Sequence, residues 1–240
     1  MTLGAENRKL SLIQHLLGVD FAPRDRWMVK QVVVFYLVGV VGFVIPFTHT
    51  LFIRLTPLIL LMSLGVLLYY HRPTLDLKTG GYMFFVWLAG FFVEMWGVNS
   101  GLLFGSYLYG EGLGVKLVGT PVLIGVNWVL MVYLSSALFS RLPRTVMSRV
   151  VYPSLVMVGY DGVMELVAPM MDMWSFANGV VPMQNYVMWL VLSLLFHSIR
   201  FVLRIEWQNK MALPLFVVQT IFFLLILTIE YLISYGKNFF

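Results

Sequence analysis

Two carboxylates four residues apart, Asp161 and Glu165, stand in the stretch MVGYDGVMELVAPMMDMW (157–174), which is otherwise apolar. On a helix that spacing places both on one face. A charged side chain at the centre of a membrane helix costs about 2.5–3.5 kcal/mol even on lenient scales, so acids at such positions commonly mark proton relays, ion paths or substrate sites. Burial disfavours the charged form, and two carboxylates on one face resist ionising together, so one of the pair is expected to keep its proton near neutral pH. A protonated carboxyl in a dry pocket is a proton donor, and its ionised neighbour is a base. Asp161, the deeper of the two, is the expected donor, with Glu165 closer to water. A third acid, Glu94, lies in another apolar stretch and is expected to position water or tune the pair.

Other polar and aromatic groups accompany these acids. Asn99, Asn127 and Asn185 fall near the same ends of their apolar stretches, as do Trp96, Trp128 and Trp174. An aromatic face stabilises a cation within about 6 Å of the ring centroid, whereas the ordinary role of such tryptophans is an interfacial belt. Asparagines within spans more often join helices than do chemistry, and the face made by Gly97 and Gly101 reads as close helix packing. His49 and His197 are isolated histidines with no second ligand at metal spacing, so no metal site is expected.

The elements that must carry these groups follow from composition. Of the 240 residues 60% are hydrophobic and 11% charged, with a mean hydropathy of +0.87. That leaves too little polar surface for a water-soluble globule, and the expected fold class is an all-α polytopic membrane bundle. Cysteine is absent, which excludes disulfides and thiolate chemistry. Seven spans are expected near 31–51, 55–70, 82–103, 118–139, 150–168, 183–203 and 212–235, the second the weakest. With a cytoplasmic N-terminus, 13 of the 16 basic residues fall on the inner side and only Arg54, Lys116 and Lys237 on the outer. This bias favours N-terminus in and an odd number of spans. Residues 1–240 form a single transmembrane domain on this reading. Residues 1–26 are its cytoplasmic or interfacial N-terminal segment, with a short interfacial helix expected around Leu10–Leu17. The acids and asparagines then gather in the outer half of the bundle, and the inner half is nearly bare of polar groups.

The stretch EMWGVNSGLLFGSYLYG (94–110), continuing through LGVKLVGTPVLIGVNW (113–128), resembles the signature of the CruF-type carotenoid hydratases, a membrane family of carotenoid biosynthesis proteins. DGVMELVAPMMDMWSF (161–176) and PMQNYVMW (182–189) resemble that family's second half. The resemblance spans about residues 82–205. It implies addition of water across the terminal 1,2 double bond of an acyclic carotenoid end group, giving a tertiary alcohol without a cofactor. Asp161, Glu165 and Glu94 are then the catalytic candidates, and Trp96, Asn99, Tyr107, Asn127, Trp128, Trp174 and Asn185 the substrate-binding candidates. The implied partners are the acyclic carotenoid, water and the lipid bilayer, with association with other carotenoid biosynthesis enzymes and no nucleic acid. The implied location is the inner (cytoplasmic) membrane.

Two rival classes stay open. A proton-coupled transporter or channel also uses intramembrane acids, though it calls for polar groups along the whole path. A non-catalytic carotenoid-binding partner of other enzymes needs no acid pair. A retinal-type receptor is disfavoured, because residues 212–235 contain no lysine for a Schiff base.

Overall fold

The computed structural model describes residues 21–73 and 75–237; the interfacial helix expected around Leu10–Leu17 lies outside them. Helix α1 (Pro23–Val44) ends where Ile45 turns to extended backbone, and α2 (Pro46–Tyr69) begins at once. The residue before a proline is driven out of the α region, so Pro46 cuts what the sequence suggested was one span running to residue 51. His49 and Arg54 therefore belong to α2. That helix has 24 residues and a hydropathy of 2.2, so the span expected to be weakest is one of the most apolar.

Helix α3 (Leu77–Ser100) is opened by Asp76, whose carboxylate accepts from the Thr79 amide at 2.8 Å. It closes at Gly101, whose φ of +67° is a left-handed cap open to glycine at little cost. Gly101 is thus a helix stop rather than part of a packing face. Helix α4 (Ile124–Leu138) is shorter than the span expected over 118–139, because residues 116–121 form a hairpin, β2 (Lys116–Leu117) with β3 (Thr120–Pro121). At 1.5 Å per residue its 15 residues reach about 22 Å against a hydrocarbon core of about 30 Å. Ile124 to Ala137 are all buried, so α4 is the central post around which the longer helices stand.

A π-helical turn (Met147–Val151) leads into α5 (Tyr152–Val167). Pro153, which cannot donate and crowds the carbonyl four residues back, sits just past that junction. Helices α6 (Met183–Val202) and α7 (Ala212–Lys237) complete the chain. Among the described residues, six of the seven helices are long and apolar enough to cross a membrane, α5 with its π turn included and α4 excepted. The chain is a multi-pass, all-α membrane bundle. Helix α1 packs on α2 and α7, α3 on α4, and α5 on α6 and α7, with α4 touching α3, α5 and α7.

The loops sort into two ends. At one, β1 (Tyr107–Tyr109), after α3, pairs antiparallel with β4 (Trp174–Phe176), after α5, with Tyr107 opposite Phe176 and Tyr109 opposite Trp174. At the other, Arg72 bridges Gln208, and Glu206 accepts from Arg144 and Arg149 at 3.0 and 2.8 Å. This second end is richer in buried polar groups than the sequence suggested. His197 bonds Ser135 and Ser136, and His71 meets the Tyr133 hydroxyl at 2.7 Å.

Candidate active site under the two-stranded cap

The site begins with α5. Asp161 and Glu165 share one face, as their spacing requires, and both are buried. Across from them is Asn185, in the first turn of α6, which is 2% exposed. Its Nδ2 donates to Glu165 Oε1 at 2.8 Å and approaches Asp161 Oδ2 at 3.4 Å. One amide thus spans both acids. Glu165 Oε2 accepts a second bond from the Trp174 indole at 2.7 Å.

Glu94 reaches the same place from α3 and is enclosed by donors. The hydroxyls of Tyr107 and Tyr109 donate to Oε2 at 2.6 and 2.7 Å, and the Trp128 indole donates to Oε1 at 3.0 Å. A strand turns alternate residues to one side, so β1 delivers both tyrosines to one carboxylate. Two glycines on α3 make room. A Cβ at Gly97 would lie 2.5 Å from the Phe104 ring, and one at Gly90 would lie 2.6 Å from the Trp128 ring. Beneath the acids Trp128 stacks on Trp189 at 4.2 Å and meets Phe196 edge-on.

Glu94, Glu165, Tyr107, Tyr109, Trp174 and Asn185 line a cavity of about 20 Å³. That is room for about one water, and the walls supply the polar partners that such a water needs. Asp161 is fully buried and is not part of this wall; its Oδ1 has no hydrogen-bond partner among the described residues. The deeper acid is therefore one step removed from the space where a reagent would sit.

Five of the seven expected binding residues gather inside the bundle. Tyr107, Trp128, Trp174 and Asn185 contact the acids, and Asn127 lies behind them in a separate apolar slot. Trp96 and Asn99 are not brought to the acids. Trp96 is 59% exposed on the outer face of α3, and the exposed Asn99 donates to the Met95 and Val118 carbonyls, tying the helix end to the β2–β3 hairpin. One helical turn cannot turn both Glu94 and the residue two positions on inward. Tyr109, Trp189, Phe104 and Phe176 were not anticipated as site residues. The alternation Tyr107-Leu108-Tyr109 was the available signal for Tyr109, legible only once that stretch is read as a strand.

No curated protein and no solved structure matches the chain. Residues 55–237, from early in α2 to the end of α7, match the carotenoid biosynthesis protein family, and the chain belongs to that family.

Proposed function

We propose that this protein is a cofactor-independent carotenoid hydratase of the CruF type, adding water to the terminal 1,2 double bond of an acyclic end group. The observation that carries the reading is the water-sized cavity walled by Glu94 and Glu165 within a membrane bundle of a carotenoid biosynthesis family. Hydration needs a proton donor, a water and an acceptor for the water's proton. Glu165, on the cavity wall, gives its proton to the less substituted alkene carbon and leaves a tertiary cation. The water oxygen forms a bond to the cationic carbon, and the added water passes a proton to Glu94, whose three hydrogen-bond donors hold it in place. Proton return from Glu94 to Glu165 restores the starting state. The sum is alkene plus water to tertiary alcohol.

In this scheme Asp161 is a positioning residue, acting through Asn185 on Glu165. The rings of Trp174 and Trp189 on the cavity wall offer faces to the cation. A transporter is disfavoured by what separates the two polar regions. On α6, Trp189 and Phe196 stand between Asn185 and His197, and from α4 Trp128 stacks on Trp189 and meets Phe196 edge-on, so the acid cluster ends on an aromatic floor. By the bias of basic residues, the capped end with the acids faces outward across the inner membrane and the N-terminus is cytoplasmic. Incubating the purified protein with an acyclic carotenoid in heavy-oxygen water tests the reading. One labelled hydroxyl per reacted end is expected, and a product without label, or no product, would refute it.

A further inference from the structure

The acid cavity holds only about one water, so a long substrate needs a separate place to lie. Three spaces in the bundle are linked through shared residues. The acid cavity shares Trp174 with an apolar slot of about 40 Å³, lined among others by Leu60, Leu113, Met131, Met164 and Phe222. That slot shares Tyr36 with a groove of about 350 Å³ between α1 and α2, walled by Met28, Val32, Val34, Met62 and Val66 and open to the lipid. Trp174 and Tyr36 are thus the residues at which the three spaces adjoin.

We propose that the groove between α1 and α2 is a lateral portal through which an acyclic polyene enters from the bilayer, its end group leading past Tyr36 to Trp174 and its chain following into the groove. The proposal rests on the hydratase reading. Length supports it. Along α1 from Met28 to Tyr36 the rise is about 12 Å, and along α2 from Ser63 to Thr56 about 10 Å, so groove and slot in series give a path most of a bilayer long. Chemistry supports it as well. Groove and slot are walled mainly by aliphatic, Met and Phe side chains, with no charged residue among those that line them, which suits a hydrocarbon better than a charged solute.

Tyr36 is held across the route by a small polar latch. Its hydroxyl meets Ser63 Oγ at 2.8 Å and accepts from Gln219 Nε2 at 2.7 Å, while Gln219 Oε1 accepts from the Tyr160 hydroxyl at 3.2 Å. The latch ties α1, α2, α5 and α7 together where groove and slot meet. Swinging the Tyr36 ring aside joins the two spaces without unfolding a helix. The Asn127 amide nitrogen, buried in the slot without a hydrogen-bond partner among the described residues, adds a further polar group to the slot wall.

The chain has no cysteine, so single-cysteine protection is a clean test. Val34→Cys and Met62→Cys line the exposed groove, and Ile221→Cys, equally exposed on α7, is the control. Each is labelled with N-ethylmaleimide with and without an acyclic polyene carotenoid, whose binding is followed by its absorbance. At roughly ten times its Kd the polyene should slow labelling about tenfold at positions 34 and 62 and leave 221 unchanged. Tyr36→Phe, which removes the latch hydroxyl, should speed polyene uptake while keeping the protection. Bound polyene with unchanged labelling at 34 and 62, or equal protection at 221, would overturn the portal. Turnover by the parent protein in heavy-oxygen water reports on the hydratase reading separately: product with no groove protection sinks the portal alone, and neither binding nor product sinks both.

Discussion

Trp174 donates its indole N–H to Glu165 Oε2 over 2.7 Å, and the same ring lines both the acid cavity and the apolar slot. The ring is placed by β4, whose register with β1 sets Trp174 opposite Tyr109. The cap therefore positions donors to two acids at once, Tyr107 and Tyr109 for Glu94 and Trp174 for Glu165. The chain segments that follow α3 and α5 are joined above the acids by one strand pair of three residue pairs, and that union fixes the site.

The first prediction follows from this bond. Trp174→Phe keeps the apolar wall but removes the donor, leaving a buried carboxylate oxygen unpaired at a cost of about 1–3 kcal/mol. The variant should fold, with a modestly lower Tm, and hydrate carotenoid at a clearly reduced kcat. Normal kcat in folded protein would show that the bond does not orient Glu165.

A second concerns the space under Trp128. Gly90→Ala drives a Cβ to within 2.6–2.8 Å of that ring, closer than real contacts allow, and the backbone of α3 or the ring must shift. Overpacking of this kind typically costs about 1–3 kcal/mol. Because Trp128 is bonded to Glu94 and stacked on Trp189, activity should fall together with Tm. A Gly90→Ala protein with native Tm and native rate would contradict the tight packing.

Much of the bundle was legible because hydropathy over a 20-residue window reports directly on the solvent. The face shared by Asp161 and Glu165 was legible too, since it depends only on helical period. Other features depend on partners far away in sequence. The two-residue strands around Gly119 and the pairing of Tyr107 with Phe176 carry no long alternation, so they were hidden inside presumed helix or loop. The full burial of α4 could not be told from a lipid-facing span, because both read as uninterrupted apolar sequence. Trp96 was expected at the site because it falls in the same half of the bundle as Trp128 and Trp174 and in the stretch that carries the resemblance, whereas its position on the helix leaves it exposed on the outer face of α3.

Topology gives the third prediction. Val115 is 82% exposed at the capped end and Leu142 is 44% exposed at the other. In the cysteine-free chain, Val115→Cys should react with an external membrane-impermeant maleimide and Leu142→Cys only after permeabilisation. The reverse pattern would invert the orientation inferred from the basic residues.

A fourth prediction is set by the two capping phenols, which lie outside the spans. Burial, followed by the neighbouring Glu94 carboxylate, pushes both Tyr107 and Tyr109 well above the ordinary tyrosine range. With folded values raised over unfolded ones, their contribution to stability is whole below about pH 10 and is lost as pH rises beyond it. Tm should hold steady to about pH 9 and then fall, by up to about 1.4 kcal/mol of stability per pH unit for each phenol. Tyr107→Phe should flatten that alkaline limb. An unchanged limb in the variant would remove Tyr107 from its cause.

The last prediction divides the work of the acid pair. Sequence alone favoured Asp161 as the proton donor because it is the deeper group, but the cavity wall contains Glu165 and Glu94 and not Asp161. A donor must come within about 2.6–3.2 Å of the atom it protonates, and Glu165 is the member of the pair that lines the water-sized cavity and is bonded to Trp174, where the end group is proposed to lie. Glu165→Gln retains an oxygen to accept from Trp174 and removes the acid, so turnover should drop by about 10² to 10⁴. Asp161→Asn leaves the donor in place and alters its neighbour. Its loss should be smaller, about tenfold or roughly 1.4 kcal/mol of barrier, and should come with a displaced pH–rate profile, because a carboxyl one turn away, reached by the same Asn185 amide, is removed. A purely structural role for Asp161 would lower Tm and rate without moving that profile. The deciding measurement is the pH–rate profile of both variants in folded protein that still binds carotenoid. Near-normal hydration by Glu165→Gln alongside an inactive Asp161→Asn would return the donor's role to Asp161 and place the reacting alkene one turn deeper in the bundle.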